Sequence, residues 1–152
     1  MNDVHEIWMR EALQEAQKAE QKDEVPIGAV LVCDQKIIAR GMNLREGSGR
    51  TIAHAEIEAL LKYNQQTQSW RLPENTSLYV TLEPCLMCTG AFLSARIGAI
   101  YFGCADTKNA GLLRTQTWIN ENVFDHIPRE IKGGILAEDC RSLLSNYFKK
   151  KR

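Results

Sequence analysis

Apolar residues change their period several times along this chain, and that alternation restricts its architecture more than any other feature. Val4, Ile7, Trp8, Ala12, Leu13, Ala16 and Ala19 recur at helical spacing, so this segment should lay one apolar face on a core. Pro26 then breaks the helix, and Ile27 to Cys33 is a short apolar run rich in β-branched residues. Asp34-Gln35 interrupts the run and Lys36 to Arg40 resumes it, which predicts a hairpin. The polar stretch from Asn43 to Arg50, with Gly47 and Gly49, reads as a loop. Ala53 to Tyr63 returns to helical composition, with Ile57, Leu60 and Leu61 as its buried stripe. Asn64 to Ser69 and Pro73-Glu74-Asn75 form a connection, and Leu78 to Leu82 is a strand. Pro84 then starts a helix reaching about Ala95, a position where its missing N–H costs nothing. Ala99 to Gly103 is another strand, and Ala137 to Lys149 is helical, with Cys140, Leu143, Leu144, Tyr147 and Phe148 in register. Between these last two the pattern is not legible. Strands alternating with helices after an initial hairpin imply an α/β fold with a mixed central sheet covered by helices on both faces.

The 152 residues carry 19 Lys+Arg against 19 Asp+Glu, with 44% hydrophobic and 25% charged residues. Such a chain forms one domain, 1–152, with a sizeable core, and is not disordered. No apolar run approaches the roughly 20 residues of a membrane span, and the charged N-terminus lacks the apolar centre of a signal peptide. Net charge zero excludes a protein that grips nucleic acid over its whole surface. It leaves room for a local basic patch, and Lys149, Lys150, Lys151 and Arg152 offer one, though a solvated, frayed tail is the plainer reading of that run. Of five cysteines only Cys85 and Cys88 are closely spaced, which points to metal or redox chemistry rather than a disulfide framework.

Two short segments carry the chemistry: His54-Ala55-Glu56 and Pro84-Cys85-Leu86-Met87-Cys88. At a helix start, the unpaired N–H groups and the positive dipole end stabilise thiolates, and both sulfurs can face one point. Alone, the C-x-x-C spacing also fits redox pairs or buried core cysteines, and a lone histidine at a helix head is usually structural. Together, His54, Cys85 and Cys88 make an N,S,S set that leaves the fourth tetrahedral position of zinc for water, the pattern of a catalytic site. Glu56 adds a carboxylate that can take and deliver a proton. Residues i and i+2 point about 200° apart on a helix, so His54 must sit at the cap for both to address one ion.

H-x-E followed by P-C-x-x-C resembles the zinc nucleobase deaminases. The resemblance widens to Glu24-Val25-Pro26-Ile27-Gly28-Ala29-Val30, Asn43-Leu44-Arg45-Glu46, Ser69-Trp70-Arg71-Leu72, the whole of Leu78 to Cys88, and Gly134-Ile135-Leu136. Over nearly the full chain the sequence is similar to the bacterial tRNA adenosine deaminases of the TadA type. That resemblance implies a cytidine-deaminase-like three-layer α/β/α sandwich, a homodimer, a cytoplasmic location, and one zinc ion per subunit. The implied reaction converts the wobble adenosine of an arginine tRNA anticodon to inosine with zinc-activated water. It further implies that His54, Cys85 and Cys88 hold zinc, that Glu56 shuttles protons, and that Asn43, Ala55 and Ile27 contact the base. Asp106, Lys108, Tyr147 and Phe148 would meet neighbouring nucleotides.

Thr107 stands where the family usually has proline, Asn109 to Thr115 lacks its usual Gly-Ser turn, and Asp125-His126 replaces a common Asn-His. These departures leave the metal motif whole and fall on the implied RNA-contacting loop. Arg45, Arg50, Lys108 and the basic tail are the cations expected to meet phosphates. Two rival readings share the motif. One is a deaminase of a free base or nucleoside (guanine, cytosine or cytidine). The other is an inactive zinc-binding module, which needs a fourth protein ligand from among Cys33, Cys104, Cys140, His5 and His126. None of those has supporting spacing, and each reads as core or surface. Trp118 and Phe124 are expected in the core.

Overall fold

Successive residues of the central strands point to opposite faces, and here each face meets its own core. The computed structural model describes residues 3–109 and 111–152. Among them, β1 (Gly28–Cys33), β2 (Lys36–Met42), β3 (Ser77–Leu82), β4 (Ala99–Cys104) and β5 (Glu130–Lys132) form one sheet in the order β2-β1-β3-β4-β5. β1 pairs antiparallel with both β2 and β3, while β3, β4 and β5 run parallel, so the sheet is mixed. Ala29, Leu31, Leu78, Val80, Ile100 and Phe102 enter one core with α3 (Ala55–Thr67), α4 (Leu86–Ser94) and Leu112 of α5 (Gly111–Asn120). The alternate residues Val30, Val32, Tyr79, Ala99 and Tyr101 enter another core with α1 (Val4–Gln21) and α6 (Ala137–Lys150). The result is the three-layer α/β/α sandwich expected from the alternating pattern.

Asp34 and Gln35 both take positive φ, which makes the β1–β2 connection a two-residue turn of the primed kind that matches strand twist. Glycine matters where helices press on this hairpin. A Cβ on Gly28 would collide with the Ala12 carbonyl and the Ala16 backbone nitrogen, and one on Gly41 with the Ala55 carbonyl and the Ala59 nitrogen. Alanines at the facing helix positions complete the close approach, all of them fully buried.

Several expectations need correction. Val4 and Ile7 lie exposed at the start of α1, where the buried stripe is Met9, Ala12, Glu15, Ala16 and Ala19. The loop after β2 contains a single helical turn, α2 (Arg45–Ser48), closed by Gly49 at φ 68. Helix α3 runs past Tyr63 to Thr67, because exposed polar residues continue a helix that is already nucleated. Pro84 lies outside α4, whose N-cap is Cys85. The stretch without a legible pattern holds α5 and the three-residue edge strand β5. Trp118 is exposed and Phe124 half-buried. The C-terminal run is helical to Lys150, and Lys151 pairs with Asp23, so it is not a frayed tail.

Gly41→Ala should destabilise the protein by about 2 kcal/mol, because the new methyl meets backbone atoms that cannot rotate away. A lowered urea midpoint with unchanged slope would show this, whereas an unchanged midpoint would mean α3 tolerates displacement from β2.

Candidate active site

The ends of β2, β3 and β4 and the start of β1 lie along one edge of the sheet, since Gly28 pairs with Met42 and Ala29 with Val80. Ligand sites of α/β sheets gather at the carboxyl ends of parallel strands. Two helices begin at this edge. His54, with φ −72 and ψ 154, is the N-cap of α3, which turns its side chain away from the helix and resolves the angular conflict with Glu56. Cys85 is the N-cap of α4 and Cys88 lies in its first turn.

His54 Nδ1 is 3.5 Å from Cys85 Sγ and 3.6 Å from Cys88 Sγ. These distances test whether a zinc ion fits. Zn–N of about 2.0–2.1 Å and Zn–S of about 2.3 Å at a tetrahedral angle put the N···S edge at about 3.5–3.6 Å. The donors therefore already stand at zinc-binding spacing. They form the only group of three or more His, Cys, Asp or Glu side chains of this kind among the described residues. Cys33, Cys104, Cys140, His5 and His126 are elsewhere: His5 bonds Tyr79 Oη at 2.8 Å and His126 Nε2 meets the Ile97 carbonyl at 2.5 Å.

Hydrogen bonding with Cys88 holds the Cys85 thiol down, at about 4, and the same interaction with burial pushes Cys88 up. The two sulfurs thus share one proton between them. The hydrogen bond with Cys85 raises His54. Glu56, 4% exposed, is pushed up to about 7 mainly by burial. A carboxyl near neutrality is matched to taking and returning protons at pH 7.

These groups open into a cavity of about 900 Å³. Ile27, Asn43, Ala55, Asp106, Lys108 and Phe148 also line it. Tyr147 is not brought to the cavity: its ring is buried and its hydroxyl donates to the Asp23 carbonyl at 3.3 Å. Arg50 is paired with Glu58, which leaves Arg45 and Lys108 as cations on the cavity wall. The departing stretch near 107–115 includes Ala110, which lies outside the described residues.

Asn43 behaves as the loop asparagine its surroundings predict, donating to the Val25 carbonyl at 3.2 Å and accepting from the Arg45 N–H at 3.1 Å. An amide retains a further donor and lone pair beyond these two bonds. Sequence reasoning assigned no role to Glu24. Its buried carboxylate accepts from the Glu46 and Gly47 N–H groups at 2.9 and 2.6 Å, fixing α2 against the segment before β1. Glu83 similarly accepts from the Asp106 N–H at 3.1 Å, and Asp106 accepts from the N–H groups of Lys108 and Asn109. A carboxylate among buried residues was the available signal, but its partners lie 22 or more positions away.

Because the two thiols share a proton and His54 is held toward its protonated form, while zinc takes thiolates and a neutral imidazole, adding Zn²⁺ to metal-free protein should release at least one proton per site near pH 7. A pH-indicator dye in weak buffer reads this. Cys88→Ala should abolish most of that release and lower zinc content; full zinc occupancy in the variant would contradict the ligand set.

A family model of the cytidine and deoxycytidylate deaminase zinc-binding region matches residues 2–104. The tRNA-specific adenosine deaminase of Bacillus subtilis (strain 168) is 45% identical over 147 residues, spanning 97% of this chain and 90% of that protein. The protein of the same description from Haemophilus influenzae is 42% identical over 152 residues, spanning 99% and 87%. A solved structure from a study of A-to-I editing by tRNA:A34 deaminases superposes with a TM-score of 0.83 at 37% identity, covering 90% of this chain and 98% of that one. A guanine deaminase from Nitrosomonas europaea shares the fold, with a TM-score of 0.76 at 20% identity over 97% and 85% of the two chains. With its cluster at zinc spacing and relatives that match almost end to end, the chain belongs to the zinc-binding cytidine and deoxycytidylate deaminase family and, within it, to the tRNA-specific adenosine deaminases.

Proposed function

We propose that this protein is a single-domain enzyme that deaminates adenosine to inosine in tRNA, at the wobble position of an arginine anticodon. The observation that carries the reading is the position of a buried, near-neutral Glu56 two residues from His54, whose Nδ1 stands 3.5 and 3.6 Å from two thiols. His54, Cys85 and Cys88 would hold zinc, which would supply a Lewis acid able to bring a water toward ionisation at neutral pH. Among the described residues this donor group has three members and no fourth, which counts against the inactive-module reading.

Glu56 accepts a proton from the attacking water and passes it to the ring nitrogen N1 of adenine. A C–O bond forms at C6. Glu56 then takes the second proton of the same oxygen to the amino group, the C6–N bond breaks, and ammonia leaves. One carboxylate serves both directions, and the overall change is adenosine plus water to inosine plus ammonia. Ile27 and the Ala55 backbone flank the base, and the spare donor and lone pair of Asn43 are its polar contacts. An unpaired anticodon loop presents the base without the cost of opening a duplex.

Lys108, Arg45 and the exposed Phe148 on the cavity wall favour a loop-borne base over a free one. The same reading includes a cytoplasmic homodimer. Ile52 and Trp70, 47% and 63% exposed, flank the two ends of α3 as apolar surface that a second copy would cover. No helix among the described residues is long and apolar enough to cross a membrane.

Zinc-loaded protein incubated with an arginine tRNA stem-loop should produce inosine at the wobble position, with negligible turnover of free adenosine, guanine or cytidine. Preferential turnover of a free base would replace this reading with its rival. Glu56→Ala should retain zinc and lower the rate by about 10²-fold or more. Sedimentation should give twice the 17.2 kDa chain mass; a monomer at working concentration would remove the dimer from the proposal.

A further inference from the structure

We propose that Trp118 is a stacking platform for the base of a nucleotide adjacent to the one that enters the cavity, an inference that rests on the RNA reading above. Gly111, Thr115 and Trp118 are spaced four and three residues apart, so they share one face of α5, and all three line the cavity. The adjoining face of this helix is anchored: Leu112, Thr115 and Ile119 are fully or almost fully buried. A Cβ at Gly111 would strike the Leu86 nitrogen and the Cys85 carbonyl carbon, so α5 begins in direct contact with the turn that carries the thiols.

This rigid seating ends in an indole that is 50% exposed. A tryptophan buries a large area when it packs into a core, and here half of that area stays in water on a cavity wall. The deamination chemistry does not need it, since the proton and metal functions are complete without α5. Phe148, 47% exposed, lines the same cavity from α6, and the exposed Lys108 supplies a positive charge on that wall. Aromatic faces interleaved with cations are how proteins hold single-stranded nucleic acid: bases stack on the rings and the backbone follows the charge. A volume of about 900 Å³ lies near the top of the roughly 300–1,000 Å³ range of small-molecule pockets, which leaves room beside a single base.

The test separates the platform from the reaction. In a Glu56→Ala background, an anticodon stem-loop RNA is titrated by fluorescence anisotropy at fixed salt, intact or with an abasic nucleotide on either side of the wobble position. Trp118→Ala should weaken binding of intact RNA about tenfold, and Trp118→Phe should restore most of it. At one neighbour, the abasic RNA should bind the parent about tenfold more weakly yet bind the Trp118→Ala variant no worse than intact RNA does. Melting temperature and zinc content should be unchanged by Trp118→Ala. Unaltered affinity, or penalties that multiply in full at both neighbours, overturns the proposal. So does a change in sedimentation mass, which would assign the indole to a protein interface. Turnover by the wild-type protein is scored separately: absence of inosine with the coupling intact would refute the reaction and retain the platform.

Discussion

The backbone-to-backbone approach of α3 to β2 at Gly41 determines where half of the metal-holding group can lie. With no Cβ on that strand and only alanines on the facing helix turn, α3 settles close enough for His54 to emerge at the sheet edge. The other half arrives differently, because β3 delivers the chain to the same edge and α4 starts there with Cys85. The two N-caps are 31 residues apart in sequence, yet their side chains meet at 3.5 Å. Two helix starts directed at one point place partial positive charge around the thiolate and the carboxylate. Burial opposes that charge at Glu56, and the balance leaves its carboxyl near neutrality.

What the sequence made readable was whatever depended on period and local spacing. Strands β1 to β4 are short β-branched or aromatic runs whose alternate residues feed two cores, and their limits were accurate to within two residues. The N,S,S set was readable because a helix cap and a C-x-x-C turn are local geometry. Elements that depend on distant partners were not. Strand β5 is three residues long with only Ile131 turned inward, and it exists because β4 offers a parallel edge. Helix α5 carries Thr115 in its buried stripe and has a tryptophan on its open side, so its apolar count misrepresents its orientation. Tyr147 and Phe148 are adjacent and therefore about 100° apart on α6. Only the second faces the cavity, a distinction that composition does not contain.

The same contrast applies to charge. Arg50 and Lys151 looked like free cations in the sequence, yet each has an acidic partner, Glu58 and Asp23. Their pairing at the surface takes up part of an apparent phosphate-binding cluster. Surface pairs of this kind add little stability by themselves, about 1 kcal/mol or less. Their effect is to hold segments in place.

Three successive residues, Asp23, Glu24 and Val25, illustrate how far such fixing reaches. Asp23 receives the Tyr147 hydroxyl and the Lys151 ammonium from the end of α6; Glu24 receives two amides of α2; Val25 receives the Asn43 side chain. A tripeptide outside every helix and strand thus acts as the keystone of the cavity mouth, with the last turn of the chain as its buttress. Trimming a few residues from the carboxyl end, or crowding it with a fusion partner, would be felt at Arg45 and Asn43, more than a hundred positions upstream.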